Sequence, residues 1–464
     1  MAEATRIVII GGGPGGYVAA IRAAQRGAEV TVVEKDLLGG TCLNRGCIPT
    51  KALLGSVEAL HKARSGADFG FGIEGEIVPD FARMMERKNE ISKMLRDGIH
   101  GLFKKNKVKL VEGTGRITSP TTVDVDTAEG LVTVEADKVI IATGSEPARL
   151  PFFDFDQPTV LTSTSALQLE KIPETLLIIG AGVIGCEFAS VFSELGTKIT
   201  IVEMMPQMLP LEDKRLAKQF QGIFKKKGIE VLLKTKVDGI AEYAEDHITA
   251  NLEGGPQITA EKMLVSIGRQ PNTQDIGLET VGVETDSRGY IVVNDKLETN
   301  VPGVYAIGDV NGGILLAHVA SYEGLVAVEN CLGGNQERDL KVVPSCVYTL
   351  PEIASIGLNE DQARDEGYHP ITGTFRLGAA GKALAIGEAQ GYIQIVADEA
   401  TDKVIGANMM GPHVTDLIHE IAVAIKNGLT VKQIGDTIHA HPTIGEALME
   451  AAHDVHGESV HVAS

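Results

Sequence analysis

One pattern occurs twice in this chain and leaves little freedom in how it folds. Ile7-Val-Ile-Ile-Gly-Gly-Gly-Pro-Gly-Gly16 is an apolar run entering G-x-G-x-x-G at Gly11, Gly13 and Gly16, and Ala28-Glu-Val-Thr-Val-Val-Glu34 is a second run tipped with an acid. Leu176-Leu-Ile-Ile-Gly-Ala-Gly-Val-Ile-Gly185 repeats the first with Gly180, Gly182 and Gly185, and Lys198-Ile-Thr-Ile-Val-Glu203 repeats the second. Middle glycine and acid are 21 residues apart in both copies, which are offset by 169 residues. Between them, residues 17–26 and 186–195 read as helices closed by Gly27 and Gly196. Each copy therefore reads β-α-β. In that context the glycines allow a tight turn and close backbone approach to a pyrophosphate at a helix N-terminus, and the acid takes ribose hydroxyls. Two dinucleotide sites are expected.

Composition narrows the class. With 464 residues the chain has room for about three domains, and its 44% hydrophobic and 22% charged residues are globular values. The 53 glycines exceed the usual share of about 7%, as phosphate-cradling turns require. A net charge of −20 argues against nucleic acid or an anionic membrane as partner and leaves a basic protein open. Five cysteines are too few for a disulfide-stapled secreted scaffold. No apolar run nears the roughly 20 residues of a membrane span, and the first strand starts at Arg6, leaving no room for a targeting peptide. A cytoplasmic protein is expected.

Two strand exits, Val139-Ile-Ile-Ala-Thr-Gly-Ser-Glu-Pro147 and Met263-Leu-Val-Ser-Ile-Gly-Arg-Gln-Pro271, share Gly-x-x-Pro at Gly144 and Gly268 and are expected to close their respective units. Residues 150–173 read as a linker. Beyond Val301-Pro-Gly-Val-Tyr-Ala-Ile-Gly-Asp-Val310 and a helix over 320–330, the composition shifts at Val343 to strands over 391–397 and 403–408 and helices over 415–426 and 445–453. The expected class is α/β: two Rossmann-like domains and a C-terminal α+β domain, divided as 1–149, 150–272, 273–342 and 343–464.

The chemistry concentrates in two segments. In Gly39-Gly-Thr-Cys-Leu-Asn-Arg-Gly-Cys-Ile-Pro-Thr-Lys51, Cys42 and Cys47 are five residues apart. Five residues of regular helix rise about 7.5 Å, beyond the roughly 4.4–6.8 Å a disulfide spans, so a bridge requires a break. Gly46 supplies one, and Pro49 suits the first turn of a helix starting near Cys47. The helix N-terminus and Lys51 then favour a thiolate at Cys47. Cys186, Cys331 and Cys346 lie in apolar runs and read as core. In Thr437-Ile-His-Ala-His-Pro-Thr-Ile-Gly-Glu446, His441 and Glu446 offer an imidazole and the carboxylate that sets its tautomer, as thiol exchange near pH 7 needs. Metal binding by His439 and His441 is the alternative.

Together the Cys42 to Lys51 segment, the double fingerprint and the His-Ala-His-Pro-Thr ending resemble the flavoprotein disulfide reductases over essentially the whole chain, and among them the branch that oxidises dihydrolipoamide. The resemblance implies FAD on the first fingerprint and Gly144, with Glu34 on the adenosine ribose and Asp309 near the ribityl chain and phosphate. It implies NAD on the second fingerprint and Gly268, with Glu203 on the ribose. Glu203 repels a 2′-phosphate, and Met204-Met-Pro-Gln-Met-Leu-Pro210 offers no arginine to bind one, which disfavours NADP. By the same resemblance Cys47 faces the flavin and Cys42 exchanges with substrate. Lys51 pairs with Glu187 beside flavin and nicotinamide, and His441 with Glu446 is an acid/base dyad supplied across a homodimer by the other subunit. His439 is structural, and His318 lies near the flavin. The implied partners are dihydrolipoamide or a lipoyl domain and, peripherally, a 2-oxo acid dehydrogenase or glycine cleavage complex. Neither metal, nucleic acid nor membrane is implied.

Two positions depart from the family pattern: Gly445, where a larger residue is usual, could loosen Glu446, and Arg45 brings a charge to the substrate mouth. The competing functions are NADH-dependent reduction of another small disulfide and a non-catalytic nucleotide-holding scaffold.

Overall fold

The computed structural model describes residues 4–461. Strand β1 (Arg6–Ile10) feeds helix α1 (Pro14–Gln25), and β2 (Glu29–Glu34) returns parallel to β1. Three helices follow, α2 (Gly40–Arg45), α3 (Cys47–Arg64) and α4 (Phe81–Asn106), before β3 (Lys109–Glu112) joins the sheet beside β2. Strand Lys138–Ile141 pairs on the other side of β1, and Val304–Ala306 completes an all-parallel five-stranded sheet. Helices α1, α4 and Ala317–Cys331 cover one face and a small antiparallel meander covers the other, and the central strands, buried on both sides, accordingly read as unbroken apolar runs.

The second copy repeats this plan. Thr175–Ile179 is central, Lys198–Glu203 and Glu230–Leu233 lie to one side, and Lys262–Val265 and Val160–Leu161 lie to the other, all parallel. Each unit also carries a three-stranded antiparallel meander between its last acid-side strand and its exit strand: Thr114–Ser119, Thr122–Thr127 and Gly130–Glu135 in the first, Val237–Tyr243, Ile248–Leu252 and Gln257–Ala260 in the second. The duplication thus extends well past the fingerprints.

Residues 150–173 are more than a linker. They contain the edge strand Val160–Leu161 and the helix Ser163–Ala166, which opens with a Thr162/Ser165 capping box. A two-residue strand has no periodicity to recognise; only its pairing with Met263 and Leu264 defines it. The Gly-x-x-Pro exits also do more than close their units: Ser145–Pro147 and Arg269–Pro271 pair with each other as an antiparallel ribbon joining the two units.

From Ser345 the chain forms a five-stranded antiparallel sheet, with Glu352–Gly357, Val404–Gly411, Tyr392–Asp398 and Pro370–Arg376 following in spatial order. Alternation splits it. Ala354, Ile393 and Met409 face helices Val414–Asn427 and Glu446–Asp454, whereas Val347, Ile353, Tyr392 and Met410 join the core around Phe188, Phe192, Phe220 and Phe224 of the second nucleotide unit. Fully burying each such phenylalanine is worth about 1.5–3 kcal/mol. That shared core fixes the C-terminal unit against the nucleotide units. No helix among the described residues is long and apolar enough to cross a membrane.

Candidate active site

The two fingerprints form matching cradles, and the reasons for their glycines differ by position. A Cβ on Gly16 would stand 1.9 Å from the Gly11 carbonyl oxygen, and one on Gly185 would stand 2.1 Å from that of Gly180, so these positions exclude side chains. Gly11 and Gly180 combine positive φ with similar backbone approach to Ala142 and Ser266. The middle glycines meet no such limit: a Cβ on Gly13 has only Gly40 Cα at 3.8 Å, and one on Gly182 has nothing within 4 Å. Open space above bare backbone at a helix N-terminus fits a dinucleotide pyrophosphate in both units.

The two acids are held alike. Glu34 accepts the Gly12 N–H (2.7 Å) and the Asp36 N–H (2.8 Å), while Glu203 accepts the Ala181 N–H and the Met205 N–H, both at 2.8 Å. Fingerprint loops, acids, Gly144, Gly268 and Asp309 all line one cavity of about 1750 Å³ that spans both units. Its size suits two dinucleotides meeting end to end.

Cys42, Cys47, Lys51 and Glu187 line the middle of the same cavity. α2 stops at Arg45, Gly46 turns the chain at φ −150°, ψ −110°, and α3 starts at Cys47 with Pro49 in its first turn. The break brings the two thiols together. A hydrogen bond from Cys42 pulls the Cys47 thiol down to about 7, assisted by the Lys51 ammonium and opposed by burial and by Glu187; the same bond pushes Cys42 up. Lys51 Nζ donates to both carboxylate oxygens of Glu187 at 2.7 and 2.8 Å across 136 residues of sequence, and Glu187 is 5% exposed. Glu187 also accepts the Tyr348 N–H at 3.0 Å, and the Tyr348 ring lies 4.6 Å from Lys51 Nζ. Nothing in the sequence around Tyr348 signals this placement.

Elsewhere the geometry revises particular readings. Cys186 and Cys331 are core, whereas Cys346 both packs against the C-terminal core and lines the cavity, because its strand is the edge strand of the C-terminal sheet. Burial pushes its thiol up to about 12, so it stays protonated. Arg45 is ion-paired with Asp36, which offsets its charge at the cavity wall. His318 lines the cavity and lies 3.1 Å from the Pro344 carbonyl oxygen; burial lowers its pKa.

His441 and Glu446 stand apart from this cavity in the chain that carries them. His441 Nδ1 is 2.8 Å from Glu446 Oε1, and the Thr443 N–H donates to Glu446 Oε2 at 2.8 Å. These two bonds, Thr443's foremost, hold the Glu446 carboxyl below the usual carboxylate range. The imidazole is 79% exposed on its side chain, open to a second body. The pair is made with Gly445 beside it, and a Cβ at that position would make ordinary contacts with Thr443, His439 and Leu417 at 3.5, 3.6 and 3.9 Å, so a larger residue would also fit. His439 instead bonds Glu420 and the Thr437 carbonyl. Among the described residues no three His, Cys, Asp or Glu converge as metal ligands.

The chain matches the family model for pyridine nucleotide-disulphide oxidoreductases over residues 5–324 and that family's dimerisation domain over 343–452. It is 44% identical to the dihydrolipoyl dehydrogenase of Bacillus subtilis (strain 168), covering 99% of this chain and all of that one. It is 45% identical to the mitochondrial dihydrolipoyl dehydrogenase of Pisum sativum, covering 98% and 92%. Among solved structures, LpdA of Mycobacterium tuberculosis superposes with a TM-score of 0.91 at 29% identity over 97% of this chain and 99% of that one. The HOCl-induced flavoprotein disulfide reductase RclA of Escherichia coli gives 0.87 at 28% identity over 96% and 99%.

Proposed function

The chain belongs to the pyridine nucleotide-disulphide oxidoreductases, and from that premise we propose that it oxidises protein-bound dihydrolipoamide and delivers the hydride to NAD⁺. The observation that carries this reading is the arrangement of Cys42, Cys47, Lys51 and Glu187 in one cavity between two dinucleotide cradles. The first unit (1–149 with 273–342) holds FAD, 150–272 holds NAD, and 343–464 forms a homodimer.

The residues act in sequence. His441 of the partner subunit, oriented by its own glutamate, takes a proton from a substrate thiol, and the thiolate attacks Cys42 Sγ of the oxidised Cys42–Cys47 pair. The Cys42–Cys47 bond breaks, and Cys47 leaves as thiolate, a better leaving group because the Lys51 ammonium beside it favours the charged form. The second substrate thiol then attacks the mixed disulfide, which releases the cyclic disulfide and returns a proton to Cys42. Two electrons now reside in the Cys pair. Bound in the first unit, FAD supplies the two-electron relay from this pair to NAD⁺. Lys51, fixed by Glu187 and Tyr348, stabilises negative charge at Cys47 throughout.

A basic partner complements the −20 charge of the chain, in keeping with peripheral docking on a 2-oxo acid dehydrogenase or glycine cleavage complex. The deciding experiment is an anaerobic panel of dihydrolipoamide, glutathione and other thiols with NAD⁺ and NADP⁺. Dihydrolipoamide with NAD⁺ is expected to exceed every other pair by orders of magnitude; a preference for another thiol, or equal use of NADP⁺, overturns the substrate or nucleotide assignment.

A further inference from the structure

The ribbon between the two units carries one side chain that the reaction above leaves unassigned. Arg269, the residue after Gly268, extends from the second unit into the first. Its Nε donates to Ser145 Oγ at 2.6 Å and its Nη2 to the Ser145 carbonyl at 2.6 Å. Ser145 Oγ in turn donates to Asp309 Oδ2, which also lies 3.5 Å from Arg269 Nε. Ser145 is 3% exposed, and all three residues line the cavity.

The direction of these bonds is fixed by chemistry. A guanidinium only donates, so Ser145 Oγ accepts from Arg269 and its own hydrogen is left to point at Asp309. That commits Oδ2 of Asp309 to the serine and balances its charge, while Oδ1 receives no bond from the described residues. Asp309 follows Gly308, whose N–H is fixed by the buried Glu323 at 2.7 Å. The backbone of this turn and one carboxylate oxygen are thus locked, and the other oxygen remains for a ligand hydroxyl.

We infer that Arg269 is a positioning residue for the first unit's dinucleotide: acting through Ser145, a side chain of the NAD-holding unit orients and charge-balances the aspartate that meets FAD. This rests on the reading of the first unit as the FAD site. Its consequence is that flavin affinity depends on a residue outside the flavin unit.

The test is equilibrium FAD binding to deflavinated full-length protein, followed by flavin fluorescence. Hydrogen bonds to charged groups are strong enough that Arg269→Gln and Ser145→Ala should each weaken FAD about tenfold or more. In an Asp309→Asn background, either change should add less than about twofold, since the group it acts through is already altered. Arg269→Lys keeps the charge but not the fork and should fall between wild type and Arg269→Gln. Gln270→Ala breaks a contact to Glu146 on the same ribbon without touching Asp309, and should leave FAD affinity within about twofold. Additive effects with Asp309→Asn, an unchanged affinity in Arg269→Gln, or an equal loss in Gln270→Ala would each overturn the inference. If Arg269→Gln fails to fold, the Ser145/Asp309 cycle alone decides. Wild-type protein that binds no FAD would instead refute the underlying site reading.

Discussion

At Cys47 the local sequence and a distant ion pair act on one atom. The helix starting at Cys47 and the hydrogen bond from Cys42 both favour the thiolate. Lys51 adds to this, whereas Glu187 opposes it. The net lowering raises the ionised fraction of Cys47 at neutral pH above the few per cent of an ordinary thiol. The thiolate is the deprotonated form, so the long-wavelength charge-transfer absorbance of the two-electron-reduced protein should fade as pH drops through about 7. Cys47→Ser should abolish it and Cys42→Ser retain it. The ion pair gives the signs of two further shifts: Lys51→Met should move the midpoint up, and Glu187→Gln should move it down. Shifts of the same sign in both variants would refute this account of the thiolate.

At the scale of the element, each β-turn-α unit depends on the absence of one methyl group. The third glycine of each fingerprint packs against the carbonyl of the first at distances no side chain tolerates, and enforced overpacking costs about 1–3 kcal/mol or more. The duplication makes the consequences separable. Gly16→Ala should yield protein without bound flavin. Gly185→Ala should keep its flavin spectrum and show a KM for NADH raised more than about tenfold, with dithiol reduction of the flavin preserved in stopped flow. Flavin loss from Gly185→Ala with NADH use intact would mean that the two cradles have been assigned in the wrong order.

At the scale of the whole molecule, the proposed reaction calls for an acid/base pair that the cavity of one chain does not contain. His441 and Glu446 are poised as a pair but do not line the cavity that holds Cys42 and Cys47. In the proposed reaction, a twofold homodimer built on the C-terminal unit would supply the imidazole of one chain to the cavity of the other. Chains carrying Cys47→Ser or His441→Gln should each form nearly inactive homodimers. Co-expressed at equal levels they should pair at random, so that half the dimers are mixed, each with one good site, and activity recovers to about a quarter of wild type. Isolated mixed dimers with no activity would show that the site does not draw on both chains.

The α/β class, the two-unit plan and the helix break at Gly46 were legible because each is written in short-range pattern. Glycine spacing, an acid 21 residues on, apolar runs and a proline in a first turn act within a few turns of chain. The Lys51–Glu187 pairing came from family resemblance and the His441–Glu446 pairing from the local Thr437–Glu446 segment, and the structure brings each pair within 2.8 Å. Other features had no local signal. Val160–Leu161 is a strand only because Met263 and Leu264 lie beside it. Asp36 offsets Arg45, Cys346 lines the cavity as well as packing on a core, and Arg269 reaches Ser145 across 124 residues of sequence. The Cys346 and Arg269 contacts exist because the two exits pair as a ribbon and the C-terminal sheet shares a core with the second unit. Local propensity sets what each segment forms; which side chains then meet depends on burial and charge balance across elements, and that only the packed chain decides.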